Sequence, residues 1–311
     1  MIIKCEQCET RYKLGDEQIT QSIFKVKCSK CSNVFTVHKP EKIKPLDLPE
    51  AAALPESPPY KIITISNQKG GVAKTSTAIN LAMSLAMQDK RVLLVDFDMQ
   101  ASLTIAMGLN SQATKTFYDL LHVSGNTLAN VIVKTKYPNL WLLPSGPNMA
   151  LLMKKNINQK HFEKILRNKL EGIKDKIDHI IIDTPPSIEF FTLNALMASD
   201  FVIIPTQCEY LSMHGVAHIE EVVNIIKKKQ NANIDYKILI TMFNQSSTAT
   251  KVIYNKIKTK YQDKIFNTSI DFDIKLQESQ IMNIPVAQYD PNSRSALQYV
   301  DLANELTGDM P

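Results

Sequence analysis

Between an apolar run at residues 61–66 and a helical pattern at 75–88, the chain reads Asn67-Gln68-Lys69-Gly70-Gly71-Val72-Ala73-Lys74-Thr75-Ser76. Few strings of residues restrict a fold so tightly. The glycines let the backbone turn sharply with its N–H groups aimed inward, and the N-terminus of the following helix adds partial positive charge. Main chain and dipole together therefore suit a phosphate group. In that setting Lys74 reaches β- and γ-phosphates, and the Thr75 hydroxyl is a Mg2+ ligand. A glycine-rich turn alone is weak evidence, whereas strand, loop, lysine, hydroxyl and helix in this order are specific.

A loop of this kind needs a sheet behind it, and the chain supplies one. Strand-length apolar runs at 61–66, 92–96, 140–143, 179–183, 201–205, 237–243 and 264–270 alternate with helical patterns at 75–88, 160–170, 189–198, 214–229, 249–261 and 293–305. Runs such as Ile180-Ile181-Ile182 are apolar at every position, which suits strands covered by helices on both faces. The expected fold is α/β: a doubly wound, mainly parallel sheet with ligands at the carboxyl ends of the strands.

Residues 1–39 are of another character. They hold four of the five cysteines, Cys5, Cys8, Cys28 and Cys31, as two Cys-x-x-Cys pairs. No stretch is apolar enough to span a bilayer and the first residues lack a signal peptide's apolar core, so a cytoplasmic protein is expected. Reducing conditions there favour metal ligation over disulfides. Four thiolates close a tetrahedral Zn2+ site with no open position, so the zinc is expected to be structural. Matched pairs at ribbon spacing argue against a redox dithiol. The segment resembles the short zinc-ribbon fingers of some bacterial proteins, which implies docking rather than catalysis. Seven basic residues stand against four acids, and a tetrathiolate zinc centre subtracts two charges, so support for nucleic-acid binding here is slight. Residues 40–59 contain six of the fifteen prolines and read as an extended linker. Residues 60–311 form the remaining domain.

The loop from Lys69 to Thr75 resembles the deviant Walker A motif, K-G-G-x-x-K-T, of the ParA/MinD ATPases, with Ala73 where glycine is commonest. Asp96-Phe97-Asp98-Met99-Gln100 is similar to that family's D-x-D-P-Q segment, and Ile180-Ile181-Ile182-Asp183-Thr184-Pro185-Pro186-Ser187 to its Walker B segment. Leu143-Pro144-Ser145-Gly146 and Tyr289-Asp290-Pro291-Asn292-Ser293 extend the likeness over roughly residues 60–308. The resemblance implies a P-loop NTPase that hydrolyses ATP slowly with Mg2+. Residues 69–76 (Lys69, Gly70, Gly71, Val72, Ala73, Lys74, Thr75, Ser76) would hold the nucleotide, with Lys69 reaching phosphate across a dimer interface. Asp98 would orient the attacking water, Asp96 support the Mg2+ region, Asp183 hold Mg2+ through water, and Asn244 contact adenine.

The resemblance leans to the chromosome and plasmid partition branch, which implies an ATP-dependent homodimer, non-specific DNA binding, nucleoid association and a ParB-like or other stimulating partner. The charge pattern agrees: residues 227–264 hold nine lysines against Asp235 and Asp263. Ile253, Ile257 and Tyr261 would face a core and turn Lys251 and Lys258 outward. Ser246 stands where the branch commonly carries one DNA-binding arginine and Lys275 where it carries another, while Arg294 is a third candidate. Two alternatives remain: an ATPase that positions a protein cargo, flagellar, chemosensory or other, recruited through the zinc module, and a metal-cluster carrier. The latter needs cysteines in the ATPase domain, where Cys208 stands alone. MinD-like membrane recruitment needs a basic amphipathic C-terminal helix, and residues 302–311 are acidic.

Overall fold

The computed structural model of the chain describes residues 2–5, 7, 8, 10–13, 23–38, 62–112, 114–156, 160–209, 212–230 and 233–308. The proline-rich stretch at 40–59 lies outside them. The chain divides into two compact units, Met1–Pro45 and Leu46–Pro311.

In the first unit, β1 (Ile2–Lys4) pairs antiparallel with β2 (Arg11–Lys13), and β3 (Ile23–Lys27) with β4 (Val34–His38). Each pair carries one knuckle, closed in the same way: Cys5 N–H donates to Thr10 O at 2.9 Å and Cys28 N–H to Asn33 O at 2.8 Å. Among the described residues, the buried apolar side chains of this unit are Cys5, Cys28 and Phe35, with Tyr12 and Val26 packed on them. So small a core stabilises a fold poorly without a metal.

In the second unit, eight strands form one sheet: β5 (Ile62–Ile65), β6 (Val92–Asp96), β7 (Val133–Lys134), β8 (Leu140–Leu143), β9 (His179–Asp183), β10 (Phe201–Thr206), β11 (Asp235–Phe243) and β12 (Ile265–Asp271). The order across the sheet is β12-β11-β10-β5-β9-β6-β8-β7. All neighbours are parallel except β7, an antiparallel edge. The helices are α1 (Lys74–Met87), α2 (Ser102–Ala106), α3 (Phe117–His122), α4 (Met149–Asn156), α5 (Ile165–Leu170), α6 (Phe190–Ala198), α7 (Ser212–Gln230), α8 (Thr248–Tyr261), α9 (Ile274–Ile281), α10 (Val286–Tyr289) and α11 (Arg294–Thr307).

Strand side chains alternate between two cores, as the pleat requires. Ile63, Ile65, Leu94, Ile181 and Ile203 pack with α1, α2 and α9 to α11. Leu93, Val95, Ile180 and Ile182 pack with α3 to α6, while Val202, Ile204 and Ile238 pack with α7 and α8. β6, β8, β9 and β10 are buried at every position. Each such side chain contributes about 1.5–3 kcal/mol on burial, which is why these strands take near-continuous aliphatic runs. The register sets the site. Ile65 pairs with Asp183, and Asp183 with Asp96, so the strand-end carboxylates of β9 and β6 lie side by side next to the loop leaving β5.

Candidate functional site

The loop after β5 is shaped by two left-handed residues, Gly71 at φ 73° and Ala73 at φ 65°. Glycine adopts that conformation freely, whereas alanine does so at a cost of about 1 kcal/mol, so the surroundings must hold the turn. They do: Gln207 Nε2 donates to Gly71 O at 2.9 Å, Thr241 Oγ1 to Val72 O at 3.2 Å, and Asn67 Nδ2 to Pro205 O at 2.8 Å. The ends of β10 and β11 thus grip the loop. Gly215 of α7 lies so close to Asn67 that a Cβ there would stand 2.3 Å from its Oδ1.

Lys74, at the start of α1, turns back so that Nζ donates to Lys69 O at 3.1 Å. It is only 9% exposed. Burial lowers its pKa, against the raising effect of Asp183 and Asp98. The next residue, Thr75, donates its hydroxyl to Asp183 Oδ2 at 2.7 Å. Asp183 is wholly buried; burial, reinforced by the neighbouring Asp96, pushes its pKa up to about 8. Its second oxygen, Oδ1, makes no hydrogen bond among the described residues. A buried carboxylate with one unpartnered oxygen beside a threonine hydroxyl fits a hard divalent cation with oxygen ligands.

Asp96, also buried, is differently occupied. Its Oδ2 accepts from Thr104 N at 2.8 Å and Thr104 Oγ1 at 2.6 Å, and its Oδ1 from Asp98 N at 3.2 Å. Burial raises its pKa to about 6 against these bonds. Asp98 is half-buried, and its Oδ1 accepts from Gln100 N at 3.0 Å. Met99, beyond it, is exposed.

Lys69 lies within its own chain, with its ammonium paired to Glu209 and donating to Ser212 Oγ at 3.3 Å. Asn244 is exposed after β11, and its Oδ1 accepts from Ser246 N in a local turn. It does not line the cleft that opens beside the loop, whose walls include Ala73, Ser76, Met242, Phe272, Asp273 and Gln277. Met242 and Phe272, exposed apolar side chains at the ends of β11 and β12, were missed by the sequence reading. Nothing in their local pattern distinguishes them from ordinary strand ends.

The basic candidates divide. Lys251 and Lys258 are exposed on α8 and make no ion pair among the described residues. Lys275 is 2.9 Å from Glu278, and Arg294 is 3.4 Å from the buried carboxylate of Asp271. Ile257 and Tyr261 are buried and the partly buried Ile253 packs against the same core, as the helical spacing requires.

In the N-terminal unit, the sulfurs of Cys5, Cys8, Cys28 and Cys31 all lie within 4.8 Å of one another. Cys5 and Cys31 are 3.6 Å apart, Cys8 and Cys28 3.4 Å. A tetrahedron with metal–sulfur bonds of ~2.3 Å has edges of about 3.8 Å, so the four fit a zinc ion. Tyr12 places its hydroxyl 3.0 Å from Cys28 Sγ, and that contact chiefly lowers the Cys28 pKa to about 6.

A strand–loop–helix with a buried lysine, a threonine against a strand-end aspartate and a second acidic loop on the adjoining strand defines a P-loop NTPase. Residues 60–238 match the AAA domain family, and residues 1–36 a zinc-ribbon domain family. The sporulation initiation inhibitor protein Soj of Bacillus subtilis is 36% identical over 251 residues, covering 80% of this chain and 99% of that protein. The chromosome partitioning protein ParA of Myxococcus xanthus is 34% identical over 248 residues, 79% of this chain and 87% of its own. A putative plasmid partition protein of Borrelia burgdorferi, solved bound to AMPPNP, superposes with a TM-score of 0.68 at 28% identity, covering 80% of this chain and 99% of that one. The chain belongs to the ParA/Soj family of partition ATPases, and carries a zinc ribbon in front of the ATPase domain.

Proposed function

We propose that the chain is a Mg2+-dependent ATPase of low turnover whose two copies close around ATP, bind DNA non-specifically in that state and separate after hydrolysis. The observation that carries this reading is the convergence of Lys74, Thr75, Asp183 and Asp98 beside the loop after β5. Lys74, already desolvated, meets the β- and γ-phosphates; the loop N–H groups hold the remaining oxygens. Thr75 and, through water, Asp183 hold Mg2+, which when bound draws off negative charge from the β- and γ-phosphate oxygens. Asp98 orients the attacking water, and Asp96 holds the loop that carries Asp98. Asn244, exposed after β11, remains the candidate adenine contact, and the neighbouring cleft of Met242 and Phe272 offers the base an apolar surface.

Lys69 completes the site from the partner. Its bond to Glu209 joins side chains 29% and 58% exposed, and an ion pair of that kind contributes only about 0–1 kcal/mol, so release to a neighbouring phosphate costs little. Lys251, Lys258, Lys275 and Arg294 are the candidate DNA contacts: the first two make no ion pair among the described residues, and the pair of Lys275 with Glu278, 47% and 38% exposed, opens as readily as that of Lys69. A dimer doubles these contacts and so couples retention on the nucleoid to ATP. A ParB-like or adaptor protein would stimulate the reset. No described helix is long and apolar enough to cross a membrane.

The test is retention of the full chain on non-specific duplex DNA with ATP, with ADP and without nucleotide, at two salt concentrations. Retention confined to ATP and weakened by salt is expected. Equal retention in all three states would sink the reading.

A further inference from the structure

The segment Leu143-Pro144-Ser145-Gly146, at the end of β8, lies outside the phosphate loop and meets the acidic loop after β6. Ser145 is fully buried. Its hydroxyl donates to the backbone carbonyl of Asp98 at 2.6 Å, and its N–H donates to Thr104 Oγ1 at 2.9 Å. Thr104, also fully buried, donates hydroxyl and N–H to Asp96 Oδ2. The only other bond to the Asp98 carbonyl among the described residues is from Ala101 N at 2.9 Å. The following Gly146 lies against another loop, where a Cβ would stand 2.6 Å from Ser111 O. Met99 is exposed and has no ring to fix its φ, so the placement of Asp98 depends on bonds to its own main chain.

We propose that Ser145 and Thr104 are positioning residues for hydrolysis: they tie the Asp98 backbone to the end of β8 and thereby fix where its carboxylate stands. This rests on the reading of Asp98 as the group that orients water. Both side chains are neutral and neither reaches the loop after β5, so their removal should affect the chemical step and spare nucleotide binding. A displacement of the carboxylate by about 1 Å is enough to cost up to about 100-fold in rate.

The experiment measures single-turnover ATP hydrolysis, ATP dissociation constant and melting midpoint for the full chain and for Ser145→Ala, Thr104→Val, Thr104→Ser and Asp98→Ala. Ser145→Ala and Thr104→Val should slow hydrolysis about 10- to 100-fold with affinity near that of the parent and a midpoint lowered by the buried hydrogen bonds they break, and Thr104→Ser, which keeps the hydroxyl, should recover the rate. Because the two act through one loop, the double variant should lose less than the product of the single losses. Parental rates in Ser145→Ala and Thr104→Val, with Asp98→Ala inactive, overturn the proposal and leave the parent reading standing. Loss of affinity matching the loss of rate, without recovery in Thr104→Ser, also overturns it. If Asp98→Ala itself hydrolyses ATP normally, the parent reading fails and the proposal with it.

Discussion

Lys69 and Lys74 bring the same charge to one loop and meet opposite surroundings, so their removal should have separable effects. Lys74 is buried against carboxylates. Lys74→Ala should abolish nucleotide binding, read by fluorescence of a labelled ATP. Lys69→Ala, which removes only a half-exposed pair with Glu209, should bind ATP and stay monomeric in sedimentation velocity. Asp98→Ala should bind ATP, fail to hydrolyse it and accumulate as dimer. A different residue effect concerns stability. Arg91 holds Asp178 through its backbone N–H at 2.7 Å and its guanidinium at 2.8 Å. Burial raises the Asp178 pKa, but these bonds and the charge outweigh it, and the net shift is downward. The stability this contributes is therefore complete above about pH 4 and drains away as pH falls through the depressed folded-state value. Asp178→Asn should lose about 1–3 kcal/mol in urea unfolding at pH 7 and a smaller amount at pH 3.

At the scale of elements, the strands were legible because burial on both faces demands aliphatic residues at every position, and the expected runs at 92–96, 140–143 and 179–183 coincide with β6, β8 and β9. The short helices α2, α3, α4, α9 and α10 were not, since four to eight residues give too few turns for an apolar period. The expected helix at 160–170 is shortened because His161 takes φ 60° and residues 162–164 form a 3-10 turn before α5. In the site, loop and carboxylates announced themselves by type and order. The partners that tune them did not: Glu209 lies 140 positions from Lys69 and Ser145 lies 47 from Asp98, and only the sheet brings them together. Two predictions belong to single elements. Lys251→Ala with Lys258→Ala on α8 should weaken ATP-dependent DNA retention and flatten its salt dependence, by a slope of about 1 for each phosphate no longer neutralised. Extraction of zinc with a thiol-reactive mercurial should release one ion per chain and unfold the ribbon, seen as amide exchange confined to residues 1–39, while ATP binding persists.

Across the whole molecule, loops from three adjoining strands, β9, β6 and the central β5, carry the residues proposed to handle phosphate, so no local segment contains the candidate site. The zinc ribbon has its own small core and its own cluster of four cysteines, and the ATPase unit has cores on both faces of its sheet. Loss of one unit should leave the other able to fold, which two separate unfolding transitions in calorimetry would reveal. The pairing of Asp96 with Asp183 across β6 and β9 reaches further than catalysis. Two acidic groups shut away shoulder to shoulder are an internal quarrel that a divalent ion can settle, so fuel should also act as a preservative: heat resistance should climb with ATP and magnesium together and much less with ATP in a chelator. A cell short of fuel would then hold this protein in its most perishable form.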